Sequence, residues 1–200
     1  MAQLYFIRHG QASFGQADYD QLSELGVEQS RHLGAFWRRL PQQPSRVVVG
    51  PRRRHQQTWE AFADAYGAPL PDPEVHPAFD EYQADPVVRT GFSQLAPVSP
   101  ELQHILQTFS QAQQGRERIF QRAFELVTRA WVRGQLDVPD AEPFAAFRAR
   151  VNDGLERLAE EADRDAVTLV FTSGGPVAAS AAHILDLDDE KTLELSWMIR

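Results

Sequence analysis

The chain has 200 residues, of which 42% are hydrophobic and 24% are charged, so it is long enough for one sizeable domain with a full hydrophobic core. The formal net charge of −8 argues against a nucleic-acid binder, although a local basic pocket is compatible with it. The absence of cysteine excludes disulfides and thiolate metal sites.

Short apolar runs typical of buried strands alternate with amphipathic helices along the chain. The predicted strands are Gln3 to Ile7, Arg46 to Gly50, Ala166 to Phe171 and Leu193 to Ile199. Helices are predicted over residues 23–40, between the Gly50-Pro51 break and Gly67, over 143–162, and after the Gly-Gly-Pro turn that begins at Gly174. This alternation predicts an α/β fold, a three-layer α/β/α sandwich around a mostly parallel sheet.

The stretch from about residue 82 to about residue 145 differs from the rest of the chain in composition and apolar pattern. Its first part, QADPVVRTGFSQLAPVSPE, is rich in turn-forming residues. Its second part places five apolar side chains on one helical stripe: Phe120, Ala123, Phe124, Val127 and Trp131. We interpret this stretch as a mostly helical cap, inserted over the carboxyl edge of the sheet within a single domain that spans residues 1–200.

The beginning of the chain shows no targeting signal. In MAQLYFIRHG, no basic segment precedes a long apolar one, so a secretory signal is not predicted. No apolar run approaches the roughly 20 residues that span a bilayer. We therefore expect a cytoplasmic protein that binds neither membranes nor nucleic acid.

Polar residues follow three of the predicted strands, at the strand ends where open α/β sheets collect their ligands. They are Arg8-His9-Gly10, the turn from Pro51 to Arg54, and Ser173-Gly174-Gly175. These segments supply imidazole, guanidinium and hydroxyl groups. A helix that begins after Gly175 also directs its positive end towards an anion. The local chemistry suits a phosphate.

These motifs resemble those of the histidine phosphatase superfamily, the phosphoglycerate mutase-like proteins, and of its phosphatase branch. The Arg-His-Gly signature of that family is matched by LYFIRHGQA. Its second motif, a Ser-Pro-x-x-Arg turn that leads to a Gln-Thr pair, is resembled by GPRRRHQQTWEAF, and alignment on Gln57-Thr58 makes Arg54 the family arginine. The segment that supplies an acidic residue is resembled by FDEYQ, which points to Glu81. The resemblance covers the whole chain in the right order.

The resemblance implies a mechanism. His9 attacks phosphorus in line and forms a phosphohistidine, which divides one hard step into two. Arg8 and Arg54 hold the equatorial oxygens. Glu81 protonates the departing oxygen and then takes a proton from the hydrolytic water, with neighbouring Asp80 as the second candidate for this role. No metal or cofactor is required.

Three further residues complete the predicted phosphate-binding set: Ser173, Gly174 and Gln11. For Gln11, which follows the first motif, a structural role is the equal alternative. The other charged residues of the second motif are given no role. Arg52 and Arg53 are predicted to be solvated turn charges. His55 is expected to point elsewhere on its helix, and the alternative is that it replaces a histidine that is missing from the family pattern.

The chain departs from the family pattern at Ser173, where VFTSGG has serine in place of a second histidine. That histidine, when charged, donates a hydrogen bond to a phosphoryl oxygen. Serine also donates, but it is shorter and uncharged. Hydrogen bonds to charged groups are worth about 1.5–3 kcal/mol, against about 0.5–1.5 kcal/mol for neutral pairs. A loss of roughly 1–2 kcal/mol in the transition state slows a reaction about 5- to 30-fold, so we expect reduced activity.

The leading hypothesis is a phosphomonoester hydrolase that acts on a small phosphorylated substrate. A phosphoglycerate-type mutase is disfavoured because the inserted segment is short and no lysine-rich surface is evident. A catalytically weak or inactive binder of phosphorylated ligands or inorganic phosphate stays open because of Ser173. A serine hydrolase is disfavoured because Phe171 occupies the first glycine position of the Gly-x-Ser-x-Gly elbow.

Overall fold

The computed structural model describes residues 1–13 and 20–199. Within these ranges the chain forms a sheet of β1 (Gln3–Arg8), β2 (Arg46–Val49), β3 (Glu74–Val75) and β4 (Val167–Thr172). All neighbouring strands are parallel, in the order β1-β4-β2-β3. The predicted α/β fold with a mostly parallel sheet is confirmed.

Helices connect the strands and cover the sheet. In the described ranges they are α1 (Glu24–Trp37), α2 (Arg53–Tyr66), α3 (Ala84–Leu95), α4 (Pro100–Gln111), α5 (Arg116–Val132), α6 (Phe144–Glu160), α7 (Gly174–Ile184) and α8 (Asp189–Met198). A short 3-10 turn over Pro77–Phe79 leads into the segment that contains Glu81. None of the described helices is long and apolar enough to cross a membrane.

The side chains of the strands alternate between two apolar cores, which gives the three layers. Val47 packs with Trp37 of α1 and Phe62 of α2 on one face of the sheet. Val48 and Val170 face the opposite core, which α3 to α7 complete. Because both faces are covered, the central strand β4 is buried along its whole length.

One predicted strand is wrong, because residues 193–199 belong to α8 and to its end rather than to the sheet. The Asp188 side chain accepts a hydrogen bond from the backbone N–H of Lys191 and thereby caps a helix that begins at Asp189. The apolar residues of LELSWMI are too few to separate a strand period from a helical one. The fourth strand is instead β3, whose two exposed residues show no apolar pattern that could have predicted it.

The stretch between β3 and α6 contains three helices that pack on one another. Leu102 of α4 and Val127 of α5 are fully buried there. On the predicted stripe, Ala123 and Trp131 are also buried, whereas Phe120 is 36% exposed. The interpretation of this stretch as a cap over the site stays a prediction.

Candidate active site

The parallel pairing of the strands brings three chain segments to one edge of the sheet. At the carboxyl end of β1, the backbone N–H of His9 donates to the carbonyl of Thr172, over 2.8 Å. At the end of β2, the N–H of Gly50 donates to the carbonyl of Phe171, over 2.9 Å. The residues that follow these strands, including Ser173 after β4, therefore meet at the same edge, as the sequence predicts.

The ring of His9 is held in one protonation state. Its Nδ1 lies 2.7 Å from the carbonyl oxygen of Gly10. A carbonyl can only accept, so Nδ1 carries the proton and Nε2 presents its lone pair. Burial lowers the pKa of His9 to about 4, which keeps the ring neutral near pH 7. A neutral imidazole with an unprotonated Nε2 is suited to nucleophilic attack.

The buried guanidinium of Arg54 contacts three different groups. Its Nε donates to His9 Nε2 over 3.1 Å, and its Nη2 donates to Ser173 Oγ over 3.3 Å. Its Nη1 forms an ion pair with Asp20, with 2.8 Å between the nitrogen and Oδ1. Asp20 also accepts from the backbone N–H of Arg53 at the start of α2, over 3.0 Å. Sequence reasoning missed Asp20, because nothing in DYDQL marks this carboxylate as a partner of the second motif.

The start of α2 is fastened to the turn that carries His9. Thr58 Oγ1 accepts from the N–H of Gly10 over 3.2 Å and donates to the carbonyl of Arg54 over 2.7 Å. Gly10 must lack a side chain, since a Cβ there would lie 2.3 Å from the carbonyl oxygen of Gly26. The threonine of the second motif therefore fixes the distance between the imidazole and the guanidinium.

Glu81 contacts the first turn of α7. Its Oε2 accepts from the N–H of Gly175 over 3.0 Å, and its Oε1 accepts from the N–H of Tyr82 over 3.1 Å. A Cβ on Gly175 would lie 2.0 Å from Oε1, so only glycine leaves room for this carboxyl. Burial raises the pKa of Glu81, against the opposing effect of the two backbone hydrogen bonds and of Arg54 and Arg52. A carboxyl group with a raised pKa can hold a proton at higher pH than usual.

Asp80 points to a different partner. Its carboxylate pairs with Nε of Arg52, whose Nη2 also donates to the carbonyl of Glu81 over 2.9 Å. The prediction that Arg52 is a solvated turn charge is therefore wrong, because the half-buried guanidinium fixes the acidic segment against the start of α2. Of the two candidate acids, Glu81 is the one that contacts α7.

Arg8 lies at the rim of the site. Its Nη1 donates to the carbonyl of Ile199 over 2.8 Å. Its Nε is 3.9 Å from the position that a Cβ on Gly174 would take, and its charge acts on His9 to lower the pKa of the imidazole. Arg8 is thus near His9 and the start of α7, and its guanidinium donates to the backbone at the end of α8.

Gln11 makes hydrogen bonds at the start of α1. Its side-chain oxygen accepts a hydrogen bond from Ser23 Oγ over 2.8 Å, at the N-terminus of α1. The backbone of Gln11 also accepts from the N–H of Ser23, over 2.8 Å. These bonds give Gln11 a role in joining the first motif to α1, and its part in phosphate binding stays a prediction.

Ser173 faces His55 inside the site. The distance between Ser173 Oγ and His55 Nε2 is 2.6 Å, and the two residues are 1% and 0% exposed. The prediction that His55 points elsewhere on its helix is wrong. Because α2 begins at Arg53, both Arg54 and His55 fall in its buried first turn. The sequence carries no direct signal for this contact; in the structure Gly50 makes room for the ring, since a Cβ there would lie 2.3 Å from His55 Nδ1.

A narrow gap with no room for a water molecule adjoins the start of α7. Its lining combines aromatic side chains with residues of α7 and α8: Tyr82, Phe144, Phe147, Gly175, Thr192, Leu193 and Ser196. In residues 1–13 and 20–199, no cluster of three or more histidine, aspartate or glutamate side chains is arranged to hold a metal ion. The side chains that meet at this edge of the sheet supply imidazole, guanidinium, carboxyl and hydroxyl groups.

Fold and site together define a class of protein: an α/β/α sandwich that carries a neutral histidine and a buried arginine beyond the carboxyl ends of parallel strands. Residues 4–114 and 108–197 match the family model of the histidine phosphatase superfamily (branch 1). The chain belongs to this superfamily. A comparison with curated protein sequences found no match.

Solved structures of similar fold include two kinds of phosphate-handling enzyme. The mycobacterial glucosyl-3-phosphoglycerate phosphatase is 22% identical, with a TM-score of 0.59 and alignment over 94% of this chain and 82% of that one. Its complex with inorganic phosphate aligns at 21% identity and a TM-score of 0.57, over 94% and 81% of the chains. A phosphoglycerate mutase from Bacillus anthracis is 19% identical, with a TM-score of 0.58 and coverage of 92% and 79%. At these identities the likeness shows the fold.

The two buried histidines make stability sensitive to acid. Burial lowers the pKa of His9 and of His55 below the ordinary value of 6.5. Below about pH 6.5 these histidines bind protons in the unfolded chain but stay neutral in the folded protein. The free energy of unfolding therefore decreases as the pH is lowered. Each histidine contributes a slope of about 1.4 kcal/mol per pH unit near pH 5. Glu81 acts in the opposite direction because its pKa is raised in the folded state.

Between pH 6 and pH 5 we expect unfolding of His55→Asn to take up about one proton fewer than unfolding of wild type, so its free energy of unfolding changes less with pH. Urea unfolding of wild type and variant at these two pH values measures the difference. The comparison cancels the contributions of the other titrating groups, which both proteins share. Equal slopes in the two proteins would show that His55 titrates normally in the folded state.

Proposed function

We propose that this protein is a phosphomonoester hydrolase that acts through a phosphohistidine on His9. The observation that carries the proposal is the contact between His9 Nε2 and the buried Arg54 guanidinium, 3.1 Å apart. One tetrahedral anion can contact both the nucleophilic nitrogen and the guanidinium at this distance. The substrate class is a small phosphorylated molecule, in keeping with the phosphatase and the phosphate complex among the structural neighbours.

In the first step Arg54 Nε transfers its hydrogen bond from His9 Nε2 to a phosphoryl oxygen, and the freed lone pair attacks phosphorus as the bond from phosphorus to the leaving oxygen breaks. Arg54 and Arg8 stabilise the charge on the equatorial oxygens. Glu81 gives its proton to the departing oxygen, for which its raised pKa prepares it. The products are a phosphohistidine, the free alcohol and an ionised Glu81.

In the second step a water molecule attacks the phosphohistidine. Ionised Glu81 takes a proton from this water, and the bond from phosphorus to Nε2 breaks. Inorganic phosphate leaves, and both His9 and Glu81 return to their starting protonation states. The hydroxyl of Ser173 and the N–H groups at the start of α7, including that of Gly174, supply neutral donors to the phosphoryl oxygens in both steps.

A second candidate is a phosphate-binding protein of the same fold that no longer turns over its ligand. Ser173 favours it, because a neutral hydroxyl stands where the resemblance places a charged histidine. The anion pocket would be kept in that case, while transfer to His9 would be lost.

The test is hydrolysis of p-nitrophenyl phosphate, with denaturation in alkali during turnover. Phosphohistidine survives alkali, so mass spectrometry of the digested protein is expected to find one phosphoryl group on the peptide that contains His9. Release of inorganic phosphate identifies a phosphatase, and interconversion of 2- and 3-phosphoglycerate identifies a mutase. Phosphate binding by calorimetry without turnover or a labelled peptide would establish the binder and exclude the hydrolase.

A further inference from the structure

The hydroxyl of Ser173 lies between two nitrogen atoms that can donate to it. His55 Nε2 is 2.6 Å away and Arg54 Nη2 is 3.3 Å away. The side chain makes no capping bond to the backbone of α7, although Ser173 precedes that helix. The hydroxyl is therefore directed into the site rather than used to finish the helix.

The direction of the hydroxyl proton follows from the groups around it. A serine hydroxyl has one proton to donate and two lone pairs that accept. Arg54 only donates, so it occupies one lone pair. When His55 carries its proton on Nε2, it occupies the second, and the hydroxyl proton must point to a third group. The same guanidinium contacts His9 Nε2, so this third direction leads to where a phosphoryl group on His9 would stand.

The surroundings of His55 favour a proton on Nε2. Burial and the charge of Arg54 lower the pKa of His55, so its ring carries a single N–H. Nδ1 is buried and makes no hydrogen bond to the described residues within the usual geometric limits, although the Gly50 backbone lies close enough to raise the pKa of the ring. A proton on Nδ1 would be a buried donor without a well-aligned acceptor, and unpaired buried N–H groups are rarer in proteins than under-satisfied acceptors. A proton on Nε2 avoids this cost.

The chain makes room for the imidazole at Gly50. A Cβ on this residue would lie 2.3 Å from His55 Nδ1 and 2.6 Å from the carbonyl oxygen of Phe79. The centres of the His9 and His55 rings are 5.8 Å apart. The second imidazole therefore stands behind Ser173, close to the reacting group without replacing it.

We propose that His55 is a positioning residue, whose Nε2–H fixes the Ser173 hydroxyl so that it donates to a phosphoryl oxygen. A serine supported by a histidine then supplies the hydrogen-bond donor that the family resemblance assigns to one histidine side chain. This inference rests on the proposed function. It also makes the expected loss of activity at Ser173 smaller, since a hydroxyl held in the right direction stabilises the transition state more than one that rotates freely.

The experiment is a double-mutant cycle on Ser173 and His55. Ser173→Ala and His55→Phe are each expected to lower kcat/KM for p-nitrophenyl phosphate about 5- to 30-fold, the effect of one hydrogen bond in the transition state. The double variant is expected to lose no more kcat/KM than the more impaired of the two single variants, because both changes remove the same bond. His55→Gln is expected to regain part of the loss, since its amide N–H can also donate to the hydroxyl. Additive losses, or full activity in His55→Phe, would overturn the proposal.

The matched control is Ser180→Ala in the same helix. Ser180 Oγ is buried and has no hydrogen-bond partner in the described structure, so its removal deletes the same atom away from the site. We expect wild-type kinetics from this variant. A loss equal to that of Ser173→Ala would show that α7 is merely sensitive to the deletion of a hydroxyl group.

A measurement without turnover separates this proposal from the proposed function. In ¹⁵N-labelled wild type saturated with inorganic phosphate, the histidine spectrum is expected to show His55 protonated on Nε2. Phosphate affinity measured by calorimetry is expected to fall by a similar factor in Ser173→Ala and His55→Phe. A proton on Nδ1, or unchanged affinity in both variants, would sink the role of His55 even when wild type hydrolyses its substrate. Absence of turnover with intact phosphate binding would instead count against the hydrolase.

Discussion

His9→Ala is expected to lower kcat for p-nitrophenyl phosphate by about 10⁴-fold or more, because alanine has no lone pair with which to attack phosphorus. The effect follows from the geometry of the wild-type ring. Its Nδ1 proton is held by Gly10, and its Nε2 faces Arg54. Initial rates measure the loss, and alkaline denaturation during turnover is expected to yield no phosphorylated peptide from the variant.

The control for His9 is His32→Ala. His32 is exposed on α1, outside the site, so its loss is expected to leave kcat unchanged. Far-UV circular dichroism of both variants checks that they fold. Equal rates in wild type and His9→Ala would overturn the mechanism, since the hydrolysis would then proceed without the proposed nucleophile.

Glu81→Gln is expected to reduce kcat/KM for an alkyl phosphate by about 10²- to 10⁴-fold, the usual contribution of a general acid. The same change is expected to matter much less for p-nitrophenyl phosphate, whose leaving group departs without a proton. This difference between substrates identifies the step in which Glu81 acts. A uniform loss with both substrates would assign Glu81 to binding instead.

The pH profile gives a second measure of the same role. The first step needs a neutral His9 and a protonated Glu81. The kcat/KM for the alkyl phosphate should therefore rise as pH increases through about 4, the pKa of His9. It should fall as pH passes the raised pKa of Glu81. In Glu81→Gln the fall at high pH is expected to disappear while the rise at low pH stays. The difference between the two proteins is diagnostic because the substrate ionises equally in both experiments.

Asp80→Asn is the matched control for Glu81→Gln. It neutralises the adjacent carboxyl, which pairs with Arg52 instead of contacting α7. We expect a loss of less than about tenfold and no change in the dependence on the leaving group. A larger loss in Asp80→Asn than in Glu81→Gln would exchange the roles of the two carboxyls.

The part of the site that the sequence predicts consists of residues that directly follow buried strands. His9 and Ser173 could be placed at one edge because parallel strands end together. Arg54 could be placed by its distance from the Gln57-Thr58 pair, and Thr58 does contact both the Gly10 turn and Arg54. The first inference needs only that the strands are parallel, whereas the position of Arg54 depends on the family resemblance.

The residues that the sequence did not predict depend on rotations that periodicity leaves open. His55 faces the site because α2 begins at Arg53, and a shift of the helix start would turn the imidazole away. Asp20 forms an ion pair with Arg54, and the short polar segment that contains Asp20 has no sequence pattern that would predict this contact. In the same way, β3 is too short to show a strand period, while the cap at Asp188 decides the helical state of the last segment.

The pairing of β1 with β4 has a consequence for how this protein reaches its working form. Gln3 lies beside Val167, so two segments that are far apart in the sequence must come together before the central strand gains β1, one of its two neighbours. Contacts between such distant positions close slowly, because the loop entropy is lost before the pairing is gained. During synthesis His9 emerges early and Ser173 late, so a nascent fragment that ends before Ser173 lacks part of the proposed phosphate-binding set.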